Sequence, residues 1–338
     1  MSVATASRAL AGTGRMAPET RERVRRTAHR LGYAPSAIGR SLRTRSTRTI
    51  GFVVPDVSSA FYANALKGAQ HRLSEAGYQV LLMDSDERPE RELSALRSLL
   101  EGRVDGIVLC SSGTDADDLR QLFRGRQLPF VMFDNVVEGQ GHGRVTLANE
   151  SGVRQLVSHL ADVHGHTRIG YVGGILAETG GSERLDGYRL GMLAAGLAVD
   201  PALIRSGDWT ADSGCAETQA LLDLAVAPSA IVYADADMAV GGLAVLRSQR
   251  VAIPDQVAIV AFDEPPTGAL LDPPLTTLER RDREIGEIAA TMVLRALQDP
   301  AAPPVDVRIP LDLVVRRSCG CDQAGGPARA DGMREAER

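Results

Sequence analysis

Between residues 50 and 318, short apolar runs alternate with segments of helical periodicity, and few architectures accommodate such a series. Thr49-Ile-Gly-Phe-Val-Val-Pro-Asp56 reads as a buried strand that stops at Asp56. Residues 61–77 then space Phe61, Ala65, Ala69 and Leu73 by four and close at Gly77, the pattern of a helix with one buried stripe. The runs 80–84, 106–110 and 130–134 repeat the strand signal, and 90–101 is a leucine-striped helix. The order then restarts. A helix is expected over 151–164 and a strand over 168–172. A helix over 182–196 follows, then strands over 230–234 and 257–263 with a helix near 237–249 between them. Strands covered on both faces carry continuous apolar runs, so the series implies parallel sheets with helices on either side. The expected fold is α/β, two doubly wound parallel-sheet lobes, and 338 residues suit two such units.

Asp56, Asp84, Asp134 and Asp263 each stand just past the C-terminal end of an expected strand. Ligands of open α/β sheets bind at that rim, and two facing rims would enclose a cleft. Each aspartate taken alone is equally well explained as a helix cap or turn residue.

Charge divides the chain. Residues 1–48 hold eleven arginines against Glu19 and Glu22, whereas residues 49–338 carry a net charge of −14. A basic head on an acidic body suits a polyanion-binding segment joined to a separate module, the alternative being a solvated Arg-rich tail. Catalytic signatures are missing. Lys67 is the only lysine and follows no glycine, so there is no phosphate-binding Gly-Lys-[Ser/Thr] loop, and neither Gly-x-Ser-x-Gly nor His-Glu-x-x-His occurs. Four cysteines exclude a disulfide scaffold. No apolar run reaches the ~18–20 residues of a membrane span, and a cytoplasmic protein without membrane partners is expected. Cys319-Gly-Cys321 invites a metal, but a structural zinc site needs four ligands. Cys110 and Cys215 fall in different lobes, and His164-Gly-His166 reads as a helix-end turn, so neither metal nor cofactor is expected.

The head is helical in pattern. Residues 2–10 suit a short helix, and Pro18 opens a second with Val24, Ala28 and Leu31 on one side. Ser2-Val-Ala-Thr-Ala-Ser-Arg-Ala-Leu10 resembles the recognition helix of the LacI/GalR family of bacterial repressors. Pro18–Val24, Leu31–Ser36 and Arg40–Leu42 resemble that family's third helix and hinge. Further similar motifs follow in order: Gly106-Ile-Val, Gly165-His166, Arg184-Leu-Asp-Gly187, Gly207-Asp-Trp-Thr210, Met238-Ala-Val-Gly241, Phe262-Asp263, Pro274-Leu-Thr-Thr277 and Arg316-Arg-Ser318. The match begins at the recognition helix, so the head is expected to be incomplete. Ala6 replaces the usual valine, Gly39 the usual hinge alanine, and Asp235-Ala-Asp237 the usual Asn-Asp pair.

The resemblance implies a homodimeric transcription regulator with operator DNA and a small, sugar-like effector as partners. Its implied divisions are a partial helix-turn-helix head (1–34), a hinge and linker (35–48), and two lobes. One lobe is 49–148 with about 280–305, the other 149–279 with about 306–318, and a disordered tail occupies 319–338. Val3, Ala4 and Arg8 are the implied base contacts. Ser2, Thr5, Ser7 and Arg15 lie at or near phosphates, Leu42 would wedge into a base step, and Arg43 would contact phosphate beside it. The implied effector residues are Phe61, Tyr62, Asp84, Asp134, Arg184, Trp209, Asp235 and Asp263. Two other readings stay open: a sugar-binding module that has lost DNA binding, and an enzyme on the same layered fold.

Overall fold

The computed structural model describes residues 2–11, 16–32, 46–265 and 267–321. The head contributes α1 (Val3–Ala11) and α2 (Pro18–Arg30). The Ser2 hydroxyl accepts from the Thr5 amide at 3.2 Å, satisfying a donor at the start of α1. Ala9 and Val24 are each buried, and the two helices pack against one another.

The first lobe is a parallel sheet of β1 (Thr49–Val54), β2 (Gln79–Asp84), β3 (Gly106–Leu109), β4 (Phe130–Phe133), β5 (Gly143–Leu147) and, from far along the chain, β11 (Val305–Ile309). Their spatial order is β11-β5-β4-β3-β1-β2. Its helices are α3 (Ala60–Glu75), α4 (Pro89–Leu100), α5 (Ala116–Phe123) and the late α10 (Asp282–Gln298). Alternation along β1 explains its unbroken apolar run. Ile50, Phe52 and Val54 face the α3/α10 layer, while Val53 faces Leu96 and Leu99 of α4 on the other side.

The second lobe repeats the plan. It begins with α6 (Asn149–Ser158), which runs into a π-helical turn at His159–Val163. There follow β6 (Ile169–Gly173), α7 (Thr179–Ala194), β7 (Ile204–Ser206), α8 (Ala211–Leu222), β8 (Ala230–Tyr233), α9 (Ala236–Ser248), β9 (Ala258–Ala261), β10 (Thr276–Glu279) and β12 (Asp312–Val314). The order is β12-β10-β9-β8-β6-β7, parallel except that β12 runs against β10. Helices pack closely in both lobes where glycine lets backbones meet. A β-carbon on Gly286 would lie 1.8 Å from the Ala65 carbonyl oxygen, and one on Gly241 1.9 Å from that of Ala211.

The chain crosses between lobes at 147–149, at 279–282 and between β11 and β12. The last crossing was expected near 305. It falls after Ile309 because Val305–Ile309 pairs in register with Gly143–Leu147 of the first sheet. The expected tail boundary also shifts. Ser318 and Cys319 are buried and belong to the folded second lobe, since Ser318 Oγ donates to the Ile259 carbonyl at 2.7 Å. Residues 322–338 lie outside the described residues, as do Arg15, the hinge segment 33–45 with Leu42 and Arg43, and the side chains of Val3, Ala4 and Ser7. Among the described residues no helix is long and apolar enough to cross a membrane.

Candidate functional site

Residues past the C-terminal ends of strands in both sheets meet: Asn135 after β4 bonds to Thr179 after β6, and Arg280 joins Phe61 to Asp263. From the first lobe come Phe61 and Tyr62 at the start of α3, their ring centroids 5.0 Å apart and 6.5 and 6.3 Å from that of Phe133. Asp134, directly after β4, has a positive φ of 57°, a left-handed turn that an aspartate tolerates better than most residues. Cys110 Sγ lies 3.7 Å from the Tyr62 hydroxyl and 3.9 Å from Asp134 Oδ2, so these three side chains form one group.

From the second lobe comes Arg184, only 6% exposed. Its Nε donates to Asn149 Oδ1 at 2.9 Å and its Nη1 to the Ala234 carbonyl at 2.7 Å. The guanidinium lies 3.6 Å above the Phe262 ring and 5.3 Å from Trp209. These contacts fix its plane, and cation–π attraction is stronger when the cation is desolvated. Trp209 sits at φ 71° and donates from Nε1 to Glu178 at 2.8 Å.

Asp263 and Arg280 close the centre. Arg280 lies on the second crossing, pairs with Asp263 at 2.5 Å, reaches Asp282 at 3.3 Å, and stacks 4.4 Å over Phe61. One cation thus joins a second-lobe carboxylate to a first-lobe ring. The other Asp263 oxygen, Oδ1, is buried and has no hydrogen-bond partner among the described residues. A buried carboxylate oxygen left in this way costs free energy unless a donor arrives.

The electrostatics follow from crowding. Burial raises the Asp134 carboxyl, with Asp263 adding to the effect, while Arg184 and Arg280 oppose it. Burial, with help from the Asp263 charge, pushes Asp235 up to about 7. Glu178 is raised by burial against the opposing Trp209 hydrogen bond. Burial works against the charge on Arg280, but Asp263 and Asp282 outweigh it and its pKa rises. Carboxylates therefore outnumber arginines in the cleft. Flat rings supply the apolar walls, a mixture suited to holding a polar small molecule.

The fold gathers Phe61, Tyr62, Asp134, Arg184, Trp209, Asp235 and Asp263 around this centre. Asp84 makes no contact with these side chains among the described hydrogen bonds; its two oxygens accept from the Val57 and Asp86 amides at 3.0 and 2.7 Å, tying the loops after β1 and β2 together. Asp235 has a second duty, capping α9 through the Asp237 and Met238 amides. Arg280, Glu178, Asn149 and Phe262 were not singled out from sequence, apart from Phe262 as part of a motif. Asn149 follows an interlobe crossing that no local pattern marks. Direct ties span the lobes: Thr179 donates from its amide to Asn135 Oδ1 at 3.0 Å, and Arg308 pairs with Glu183 at 2.8 Å. A hollow of about 310 Å³ beside these ties is lined by Arg144, Glu178, Glu183 and Arg308. A larger groove of about 490 Å³ runs along α10 and β11, lined by Arg72, Glu287, Met292 and Arg295, and includes neither Arg184 nor Arg280.

Two sheets meeting across charged side chains define a bilobal α/β core. Residues 157–319 match the periplasmic binding protein-like domain family. The transcriptional regulator CelR of Thermobifida fusca is 33% identical over 322 residues, 93% of this chain and 94% of that protein. The repressor CytR of Escherichia coli is 30% identical over 94% of this chain and 93% of its own length. A solved CelR–cellobiose complex superposes with a TM-score of 0.74 at 32% identity, covering 92% of this chain and 94% of that one. A lac repressor dimer bound to operator shares the fold at TM-score 0.84 and 24% identity, over 94% of this chain and 96% of that one. The chain belongs to the LacI/GalR family of transcriptional regulators; it is not an enzyme.

Proposed function

We propose that the protein is a ligand-responsive repressor that binds operator DNA as a homodimer in the cytoplasm, and whose effector is a sugar or related polyol held between the lobes. The observation that carries the effector reading is the pairing of a rigidly held arginine with a buried carboxylate oxygen lacking a donor. Arg184 offers N–H groups, Asp263 Oδ1 accepts, and Phe61, Tyr62 and Trp209 offer ring faces. Hydroxyls are both donors and acceptors and so satisfy both ends. CelR is a relative whose structure holds cellobiose, which supports the choice of ligand class.

DNA binding rests on the basic head and on the relatives, one of whose structures is a dimer on operator. Arg8, exposed on α1, is the reader of base edges, with Val3 and Ala4 giving apolar contact. Ser2, Thr5, Ser7, Arg15 and Arg43 serve the backbone, and Leu42 wedges a base step. Closure on a ligand alters the spacing of two heads, so ligand and operator affinities are linked reciprocally.

The test has two readouts. A panel of mono- and disaccharides is screened by thermal shift on the wild-type chain and on Arg184→Ala, and each hit is titrated against fluorescent operator by anisotropy. A hit that stabilises the wild type by several degrees, fails to stabilise Arg184→Ala, and changes operator affinity is expected. An unchanged shift in Arg184→Ala removes that residue from the site. Operator affinity that does not fall steeply with salt removes DNA as the partner. Leu42→Ala should weaken operator binding while leaving random-sequence binding nearly unchanged; equal losses on both would reject the wedge.

A further inference from the structure

A second polar centre lies on the opposite side of the second lobe from the cleft. His159, His164, Cys319 and Cys321 each direct one ligand atom inward, and all four atoms lie within 4.8 Å of one another. Cys319 Sγ is 3.2 Å from His159 Nε2, and Cys321 Sγ is 3.7 Å from the same nitrogen and 3.3 Å from His164 Nε2. A tetrahedral zinc ion bound at about 2.0–2.3 Å by nitrogen and sulfur requires ligand atoms about 3.3–3.8 Å apart. The three sulfur–nitrogen separations fall at or next to that range.

We propose that His159, His164, Cys319 and Cys321 are the four ligands of a structural zinc site that fastens the end of the second lobe. The backbone explains how two pairs so far apart in sequence meet. In an α-helix, residues 159 and 164 would project about 140° apart. The π-helical turn at His159–Val163 holds one residue more per turn, so positions five apart share a side, and the two imidazoles lie 5.0 Å apart. The other pair is Cys319-Gly-Cys321, whose Gly320 has φ 105°. A side chain there would be strained, and its β-carbon would lie 3.1 Å from His164 Nδ1. Glycine at 320 therefore does two things: it bends the chain so both sulfurs face one point, and it makes room for the ring opposite.

The surroundings suit a thiolate. Cys319 is buried, and the Thr276 hydroxyl lies 3.2 Å from its sulfur, a donor that would support the bound anion. On binding, each thiol gives up its proton, two sulfur–zinc and two nitrogen–zinc bonds form, and the two protons pass to solvent. Four protein ligands leave no open position, so the site holds structure rather than reacting. His166, which also lies in this stretch, points elsewhere: its Nδ1 is 2.9 Å from Ser229 Oγ. Zinc here would pin residues 319–321 against the end of α6, and so join the last segment of the lobe to its first helix.

The test uses the full-length chain, purified under reducing conditions without chelator and dialysed against zinc. Elemental analysis should find about one zinc ion per chain. Cys321→Ser and His164→Ala should lower zinc affinity by at least about a hundredfold, whereas His166→Ala should keep it. Exchange with cobalt should give a thiolate charge-transfer band and the intense visible bands of a tetrahedral ion, a readout on the wild type that does not depend on any variant folding. Chelation should lower the melting temperature of the wild type and leave that of Cys321→Ser where it was. A wild-type chain without bound zinc, equal zinc loss in His166→Ala and His164→Ala, six-coordinate cobalt spectra, or a Cys319–Cys321 disulfide in the reduced-purified protein would each overturn the assignment.

Discussion

The two polar centres of the second lobe sit near opposite ends of α6 and are built on opposite principles. At the first end, Asn149 holds Arg184 in the cleft, where charged groups of both lobes meet and Asp263 Oδ1 is left without a donor among the described residues. At the other end, His159 and His164 meet two cysteines of the same lobe, and their ligand atoms converge on one point. The cleft depends on the relative position of two bodies, and its incomplete hydrogen bonding leaves something for a ligand to complete. The His–Cys cluster depends on one body and needs no movement. A centre that spans lobes can couple ligand to shape; a centre inside one lobe can only add to that lobe's stability.

The largest effect is expected at Arg280, where the two lobes meet. Replacing it by methionine leaves Asp263 as a buried charge without its partner, a defect of about 3–5 kcal/mol. Urea denaturation should show that loss for Arg280→Met, with effector stabilisation gone as well. A loss under about 1 kcal/mol would mean that Arg280 does not join the lobes electrostatically. Helix packing gives the next effect. Gly241→Ala places a β-carbon against the Ala211 carbonyl and should cost about 1–3 kcal/mol without altering the ligand profile, since both helices belong to one lobe.

Asp235 makes the cleft sensitive to pH. Its folded pKa of about 7 lies above the ordinary carboxylate value, so the folded state binds the proton more tightly than the unfolded state. Its contribution to stability is fully present below about pH 4 and is lost as pH rises toward 7. Asp235→Asn keeps the cap on α9 and cannot ionise. It should melt higher than the wild type at pH 8, by about 1–2 kcal/mol, and level with it near pH 4. A constant difference across that window would place the burden elsewhere. The smallest effect belongs to Thr179→Val, which removes a hydroxyl 3.2 Å from Asn135 across the lobe boundary. It should cost about 1 kcal/mol or less in stability yet shift effector affinity, which isothermal titration with a hit from the sugar panel would measure.

Much of the fold was legible because both faces of each central strand are buried. Phe52 and Val53 point to opposite layers, so the apolar run of β1 is continuous and easy to find. The edge strands β7 and β12 were not legible, being three residues each and only half-buried. Nor was β11, whose identity comes from pairing with β5 rather than from its own alternating pattern. At the site, Arg184 and Asp263 were visible through motifs, whereas the amide contacts of Asp84 were not. A carboxylate after a strand can face the cleft or tie its own loop, and only the position of the Val57 and Asp86 amides decides between them.

The sequence by itself determined the alternation of strands and helices, the restart that makes two lobes, the basic head and the absence of catalytic motifs, because these depend on residue type and short-range periodicity. Tertiary structure decided what needs distant chain segments in one place. The Cys-Gly-Cys pair read as too few ligands, with His164 and His166 as a turn beside nothing. One extra residue in a helical turn instead brought His159 and His164 together beside the cysteines, while His166 meets Ser229. Coordination depends on a meeting of atoms within a few ångströms, and spacing along the chain records that meeting only when all the ligands are neighbours in sequence.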